Sequence, residues 1–484
     1  MKKILSICMS VLLLLSCAAA AFPAVAAPRP GTWSFDAEAK VLTVGPTFDF
    51  NAIADYDIPY DEEHFRLPLI DHCTVVVDEA NPYYKSVDGA MYSKDGKTLY
   101  SLPIAKFTDE NGTLTIPAEV ERIEDNACSV DQMDFTYWAE MQQVKKIVLP
   151  EGLTYIGRAA FSGYRACEDL HFPDSLKMVG PGSFSGLESL KELDTNCIEN
   201  IGTGAFAYGG METVRGDHVV AYGGEGNYAL GTILASAVFR ECDSLKTIYI
   251  PATARRVCGY EPVDGKLVYN VNQERDELLF HCISLEKIVV DPANPWYSSD
   301  EDGVLYNKDK TMLLHYPLGK EIGTYKVADT VKSIDPYAFS FMQKTDRVIL
   351  PQNLETVGYA AFAWCWSLKE VVIQPGPTFI EAGAFHDAYS LEKLTIPASV
   401  TIIGDGAIIG DGANASNAKL SDVYFGGTKA QWNAIQVYER NDALKKATIH
   451  FADGTENNES LNFFQKIVQF FKNLFVQLKN LFRR

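Results

Sequence analysis

Leu391-Glu392-Lys393-Leu394-Thr395-Ile396-Pro397-Ala398-Ser399-Val400-Thr401-Ile402-Ile403-Gly404 is the stretch that decides how this chain folds. Leu391, Leu394 and Ile396 write the short apolar alternation of a half-buried strand, and Pro397 ends it because proline cannot donate to a ladder. Val400 and Ile403 give a second inward-facing pair, and Gly404 suits a tight turn after them. The same unit returns along the chain. A phenylalanine recurs at Phe339, Phe362 and Phe385, each 23 residues apart, with Ile408 next in register. Earlier, Phe161, Phe184 and Phe206 are spaced by 23 and 22. Leu149-Pro150 and Phe172-Pro173 are also 23 apart, and Leu350-Pro351 and Ile396-Pro397 lie two periods apart. A leucine six residues after the phenylalanine, at Leu190, Leu245, Leu368 and Leu391, keeps the same beat. A unit this short cannot bury its apolar face alone. Coils must stack strand beside strand at ~4.8 Å, phenylalanine over phenylalanine.

With these markers in register, the sequence resembles the BspA-like leucine-rich repeat proteins of bacterial surfaces, and degraded units extend the resemblance across roughly residues 65–450. The resemblance implies a curved right-handed solenoid with short parallel strands on one face, and adhesion to host proteins, other cells or matrix as its work. The fold expected is a β-rich solenoid of about 23 residues per coil, with inserted β-hairpins, end caps and a C-terminal amphipathic helix.

The interruptions of the beat carry information. The Gly-rich stretch from Gly216 to Tyr228 reads as a loop leaving the stack between Phe206 and Phe239. Spacings of 41 from Phe239 to Phe280 and 59 from Phe280 to Phe339 mark longer insertions. Val77-Asp78-Glu79-Ala80-Asn81-Pro82-Tyr83-Tyr84 matches Val290-Asp291-Pro292-Ala293-Asn294-Pro295-Trp296-Tyr297. Both continue through an Asp-Gly turn signal, Asp88-Gly89 or Asp302-Gly303, flanked by the strand-like Met91-Tyr92 or Leu305-Tyr306, so each cassette reads as an inserted hairpin. Tyr83, Tyr84, Trp296 and Tyr297 are the candidate ligand-binding residues if exposed; the competing reading packs these rings between hairpin and stack.

The domain organisation expected is a signal peptide at 1–27, an N-terminal β cap at 28–64 and a solenoid at 65–420, with cassettes near 77–116 and 290–327. A C-terminal cap at 421–452, a linker at 453–460 and a basic amphipathic helix at 461–484 complete it. Lys2 and Lys3, an apolar run from Ile4 to Leu15 and small residues at 24–27 are the marks of a secretory signal, too short to span a membrane comfortably. Leu14-Leu15-Ser16-Cys17 also resembles a lipoprotein box, in which Cys17 would be acylated, although Leu15 fits that motif poorly. The expected location is therefore secreted or at the cell surface, with a lipoprotein anchored at Cys17 as the minor alternative.

Of ten cysteines, Cys167, Cys242, Cys282 and Cys365 each stand three residues before a leucine, so they read as small buried apolar positions of the repeat rather than halves of bridges. No C-x-x-C pair suggests zinc. The tail is different. Phe464, Ile467, Phe471, Leu474, Phe475 and Leu478 recur at helical spacing, and Lys466, Lys472 and Lys479 with Arg483 and Arg484 add cations and no acid. Such a helix lies in a membrane interface or pairs with another apolar surface, and both readings stand.

The charge balance excludes one partner class. With 63 acidic against 43 basic residues and a net charge of −20, the body offers no cation cluster for nucleic acid. The eight histidines, at 64, 72, 171, 218, 281, 315, 386 and 450, are scattered, and no H-E-x-x-H, G-x-S-x-G or P-loop pattern occurs. Asp300-Glu301-Asp302-Gly303 lacks the spaced ligands of a calcium loop and reads as a solvated turn. No metal, cofactor or catalysis is expected. The function expected is protein or cell adhesion by an exported binding protein. The alternative is a structural scaffold at the cell envelope, with the C-terminal helix as membrane or partner anchor.

Overall fold

The computed structural model describes residues 33–36, 39, 41–49, 74–129, 142–195, 197–217, 219, 221–222, 238–258, 260–269, 279, 281–408 and 419–457. Each coil lays one strand in a first parallel ladder and a two-residue strand in a second. The unit at 391–404 shows the rule: Lys393–Ile396 alternates outward and inward, burying Leu394 and Ile396, and Ile402–Ile403 buries Ile403. Strand Lys393–Ile396 pairs in parallel with Glu370–Ile373 on one side and Asp422–Phe425 on the other. Ile402–Ile403 pairs in parallel with Phe379–Ile380. The β-rich repeat solenoid expected from the 23-residue beat is the fold observed.

The phenylalanines form two interior stacks. Phe161, Phe184, Phe206 and Phe239 stack at centroid spacings of 5.2, 5.7 and 5.8 Å, nearly parallel. Phe339, Phe362 and Phe385 stack at 4.8 and 5.2 Å. Backbone bonds across coils reveal which residues fill this slot elsewhere. The Phe161 and Phe339 N–H groups donate to Ser183 and Ala361 one coil on, and Leu102, Cys128 and Tyr316 donate in the same way to Ala127, Ala160 and Ala338. Weak coils thus keep the backbone pattern and change the side chain.

The recurrent cysteines correct two register assignments. Cys242 and Cys365 lie three residues after Phe239 and Phe362, and their thiols donate to Phe206 O and Phe339 O of the preceding coil, both at 3.2 Å. Cys282 donates to Phe239 O at 2.9 Å, which places buried Leu279 in the phenylalanine slot. Cys167, grouped with these by its local sequence, lies six residues after Phe161, in the leucine slot, and its thiol faces Asp169 O instead. All seven described cysteines are buried.

Gly404 also acts differently from its sequence reading. Its φ is not left-handed; a Cβ there would meet Ala382 N at 2.6 Å, and one on Gly180 would meet Gly157 C at 2.8 Å. This glycine slot lets the backbones of successive coils approach.

The cassettes are more than hairpins. Each is a three-stranded antiparallel meander, Tyr84–Val87, Ala90–Ser93 and Thr98–Ser101, or Tyr297–Ser299, Leu305–Asn307 and Met312–His315. The third strand of each then pairs in parallel with the next coil, at Arg122–Ile123 or Ser333–Ile334, and so founds a second ladder. A buried asparagine fastens both. Asn81 Nδ2 donates to Gly45 O and Phe48 O, while its Oδ1 accepts from the Tyr83 and Tyr84 N–H groups. Asn294 repeats this with Pro251 O and Ala254 O, and Trp296 and Tyr297. Lys94 and Lys308 then hold the two asparagine carbonyls.

Two large cores result, one from Ala90 to Leu314 and one from Val304 to Phe451, meeting at the second cassette. The Tyr260 hydroxyl ties them by donating to Asp335 Oδ1 at 2.5 Å. At the entry, Trp33–Asp36 pairs antiparallel with Val41–Val44, which pairs in parallel with Thr74–Val77. At the exit, Asp422–Phe425 and Thr448–Phe451 extend the first ladder and Gln436–Val437 the second, around helices Lys429–Asn433 and Asp442–Lys446. Asn441 closes the column, since its Oδ1 accepts from Ile408 N–H where another coil would follow. Within the expected linker, Glu456–Asn457 adds an antiparallel strand to Thr448–Phe451.

Candidate binding surface

The candidates named from sequence separate on exposure. Tyr84 and Tyr297 are buried and are withdrawn as contact residues: their backbones are clamped by Asn81 and Asn294, and the Tyr297 hydroxyl donates to backbone carbonyls at Arg255 and Tyr260. Trp296 is half-buried against the first core, and Tyr83 is 51% exposed. Cys17, Phe464, Lys466, Ile467, Phe471, Lys472, Leu474, Phe475, Leu478 and Lys479 lie outside the described residues.

Among the described residues, no group of His, Cys, Asp and Glu could hold a metal ion and no helix is long and apolar enough to cross a membrane. Asp300 is occupied as a turn residue, accepting from Val304 N–H and the Tyr306 hydroxyl.

The unexpected feature is an edge of the solenoid. The coils with a described repeat phenylalanine turn sharply beside it, and the residue two positions after it has positive φ: Gly163, Gly186, Tyr208, Glu241, Phe341, Trp364 and Asp387. Glycine takes this conformation freely, and a bulky residue there is unusual. In early coils the edge is mostly small or charged, with Tyr208 its one ring and Arg165 and Glu188 paired at 3.2 Å across neighbouring coils. In the coils around Phe339, Phe362 and Phe385 it becomes aromatic. Phe341 stacks on Trp364 at 5.0 Å, and Tyr337 stacks on the same Trp364 at 6.1 Å. Tyr359 meets Tyr337 edge-on at 5.7 Å and is 41% exposed. Trp366, four residues after its phenylalanine, is 52% exposed and stacks at 4.5 Å on Tyr389, its counterpart one coil on.

Polar groups border these rings. His386 meets Trp364 at 5.6 Å, and its Nδ1 lies 3.4 Å from Asp387 Oδ2. Partial burial and the neighbouring Asp387 raise the Tyr389 phenol above its ordinary range. Lys369 pairs with Asp346 at 3.0 Å nearby. The arrangement offers flat apolar area with carboxylates and a histidine at its rim.

A model described as the BspA type leucine rich repeat region matches residues 107–222 and 319–426 in six copies. Among solved structures, the pneumococcal vaccine antigen PcpA is 18% identical, covering 87% of this chain and 88% of that chain with a TM-score of 0.45. A leucine rich cell surface protein from Faecalibacterium prausnitzii A2-165 is 21% identical, covering 73% of this chain and 98% of that one with a TM-score of 0.42. A leucine-rich repeat protein from Eubacterium ventriosum ATCC 27560 is 18% identical, covers 75% of each chain and has a TM-score of 0.37. No curated protein matches. The stacked coils, their interior phenylalanine stacks and the matched repeats agree: this chain carries BspA-type leucine-rich repeats.

Proposed function

We propose that the protein is exported through its signal at 1–27 and works outside the cell or on its surface as a binding protein, for a protein or cell-surface ligand. Leucine-rich repeat proteins of this type are typically surface proteins. The observation that carries the binding reading is the aromatic edge of residues 337–389. Partly exposed apolar rings side by side are costly in water, and most repeats elsewhere in the chain fill the same slots with glycine or charged residues. Aromatic residues gathered on a rigid scaffold are the side chains that dominate binding surfaces. Tyr83, on the first cassette, is a second exposed ring for the same work.

The test is binding of the secreted chain, immobilised, to purified matrix proteins and whole bacterial cells. Capture above background supports adhesion; none in any arm sinks it. The basic segment 461–484 is proposed as the surface anchor, through lipid or an envelope partner. Removing it should move the protein from the membrane fraction to the medium, and an unchanged partition would eliminate that role. Replacing Cys17 by Ser with no change in partition would likewise remove the lipoprotein alternative.

A further inference from the structure

We propose that the aromatic edge takes a basic polypeptide segment, whose arginine or lysine side chains lie over Trp366 and Tyr389 and pair with carboxylates of the same edge. This deepens the binding reading above and rests on it.

The chain contains the mode in miniature. Tyr208 and Glu241 stand at the same turn position of successive coils, both with positive φ. Arg240 places its guanidinium 5.7 Å over the Tyr208 ring and 2.9 Å from Glu241 Oε1. One cation is thus held between an aromatic face and an acid, two coil steps of the same edge. Trp364 and Asp387 occupy the equivalent positions in later coils, again with positive φ. There His386 stands where Arg240 stands, against Trp364 and beside Asp387. Next to this step the edge widens, because Trp366 and Tyr389 bring a second stacked pair with Asp387 beside the Tyr389 phenol.

Charge complementarity selects the occupant. The chain carries 63 acids against 43 bases, so its field draws a cationic partner and repels an acidic one. A neutral glycan would use the rings and gain nothing from the field. A basic segment uses the rings, Asp387 and the field together.

The experiment uses the full chain and fluorescence anisotropy with a fluorescein-labelled peptide of alternating glycine and arginine, in physiological salt, beside a glycine-serine peptide. Cellohexaose serves as the glycan arm. The arginine peptide should bind and the serine peptide should not. The Trp366→Ala/Tyr389→Ala double variant should lose about tenfold in affinity. Asp387→Asn, which keeps shape and tolerates positive φ, should lose severalfold. Unchanged melting by circular dichroism shows that the variants are folded. Equal binding by parent and variants would mean net charge alone acts and overturns the proposal. So would failure of the arginine peptide to bind, or binding of cellohexaose in its place. Capture of cells or matrix proteins that still depends on Trp366 would then leave the binding reading standing and remove only this one.

Discussion

Phe362 carries the most informative stability prediction. The ring is fully buried and stacked on both sides, 4.8 Å from Phe339 and 5.2 Å from Phe385. Truncation to alanine removes its transfer free energy and leaves a cavity in a column that cannot close, because the coil spacing is fixed by backbone bonds on either side. A loss of roughly 4 kcal/mol follows from the ~3–5 kcal/mol range for buried Phe→Ala changes. Phe362→Leu should cost only about 1–2 kcal/mol, since leucine keeps most of the volume and loses mainly the stacking; Leu279 already fills this slot in another coil. Urea denaturation followed by far-UV circular dichroism gives both values. A double-mutant cycle with Phe339→Leu should show a coupling of about 0.5–1.5 kcal/mol. If Phe362→Ala costs under about 1 kcal/mol, or the cycle shows no coupling, the stacked column is not what joins the coils.

Other outcomes follow from single sites. Asn294→Ala strands Pro251 O, Ala254 O and two backbone donors, and should cost roughly 3 kcal/mol, read as a lowered urea midpoint; Asn81→Ala should behave alike at the entry. His315 has an enclosed Nε2 without a hydrogen-bond partner among the described residues, and burial lowers its pKa to about 4. The unfolded chain therefore takes up the proton first as pH falls from about 6.5 to about 4, so stability is full above that window and drops within it by roughly 3 kcal/mol. His315→Gln should flatten this acid limb of the urea midpoint. Burial pushes the Cys242 and Cys365 thiols up to about 12, so they should resist a thiol reagent in the native protein and react in denaturant.

How much of this was legible in the sequence depends on whether a residue's role repeats. The phenylalanine column and both ladders were legible because each coil restates the same markers. Leu279 was not, since Phe280 beside it imitates the marker while the Cys282 thiol reveals the true register only through its contact with Phe239 O. Val263-Asp264-Gly265-Lys266 held a strong hairpin signal that the long spacing concealed; Tyr260–Val263 and Lys266–Tyr269 pair there, with Asp264 and Gly265 both at positive φ. In the cassettes the aromatic pairs drew notice, yet Asn81 and Asn294 do the fastening. A polar residue next to proline reads as a turn and gives no sign of burial.

The aromatic edge was hidden for the opposite reason. Tyr337, Trp364, Trp366 and Tyr389 look like interior material when composition alone is weighed, because large rings are usually buried. A usable signal existed in their offsets. They sit two before, two after or four after the repeat phenylalanine, positions that other coils give to Gly182, Gly163, Gly186, Arg165 and Glu188. Tabulating the repeat by slot separates a variable outer position from a fixed inner one.

The most direct test compares the parent chain with its Trp366→Ala/Tyr389→Ala variant in quantitative adhesion to immobilised matrix proteins and whole bacterial cells, after melting curves confirm equal folding. The account predicts saturable binding by the parent and at least about a tenfold loss in the variant. Equal binding by the two, or none by either, would contradict it.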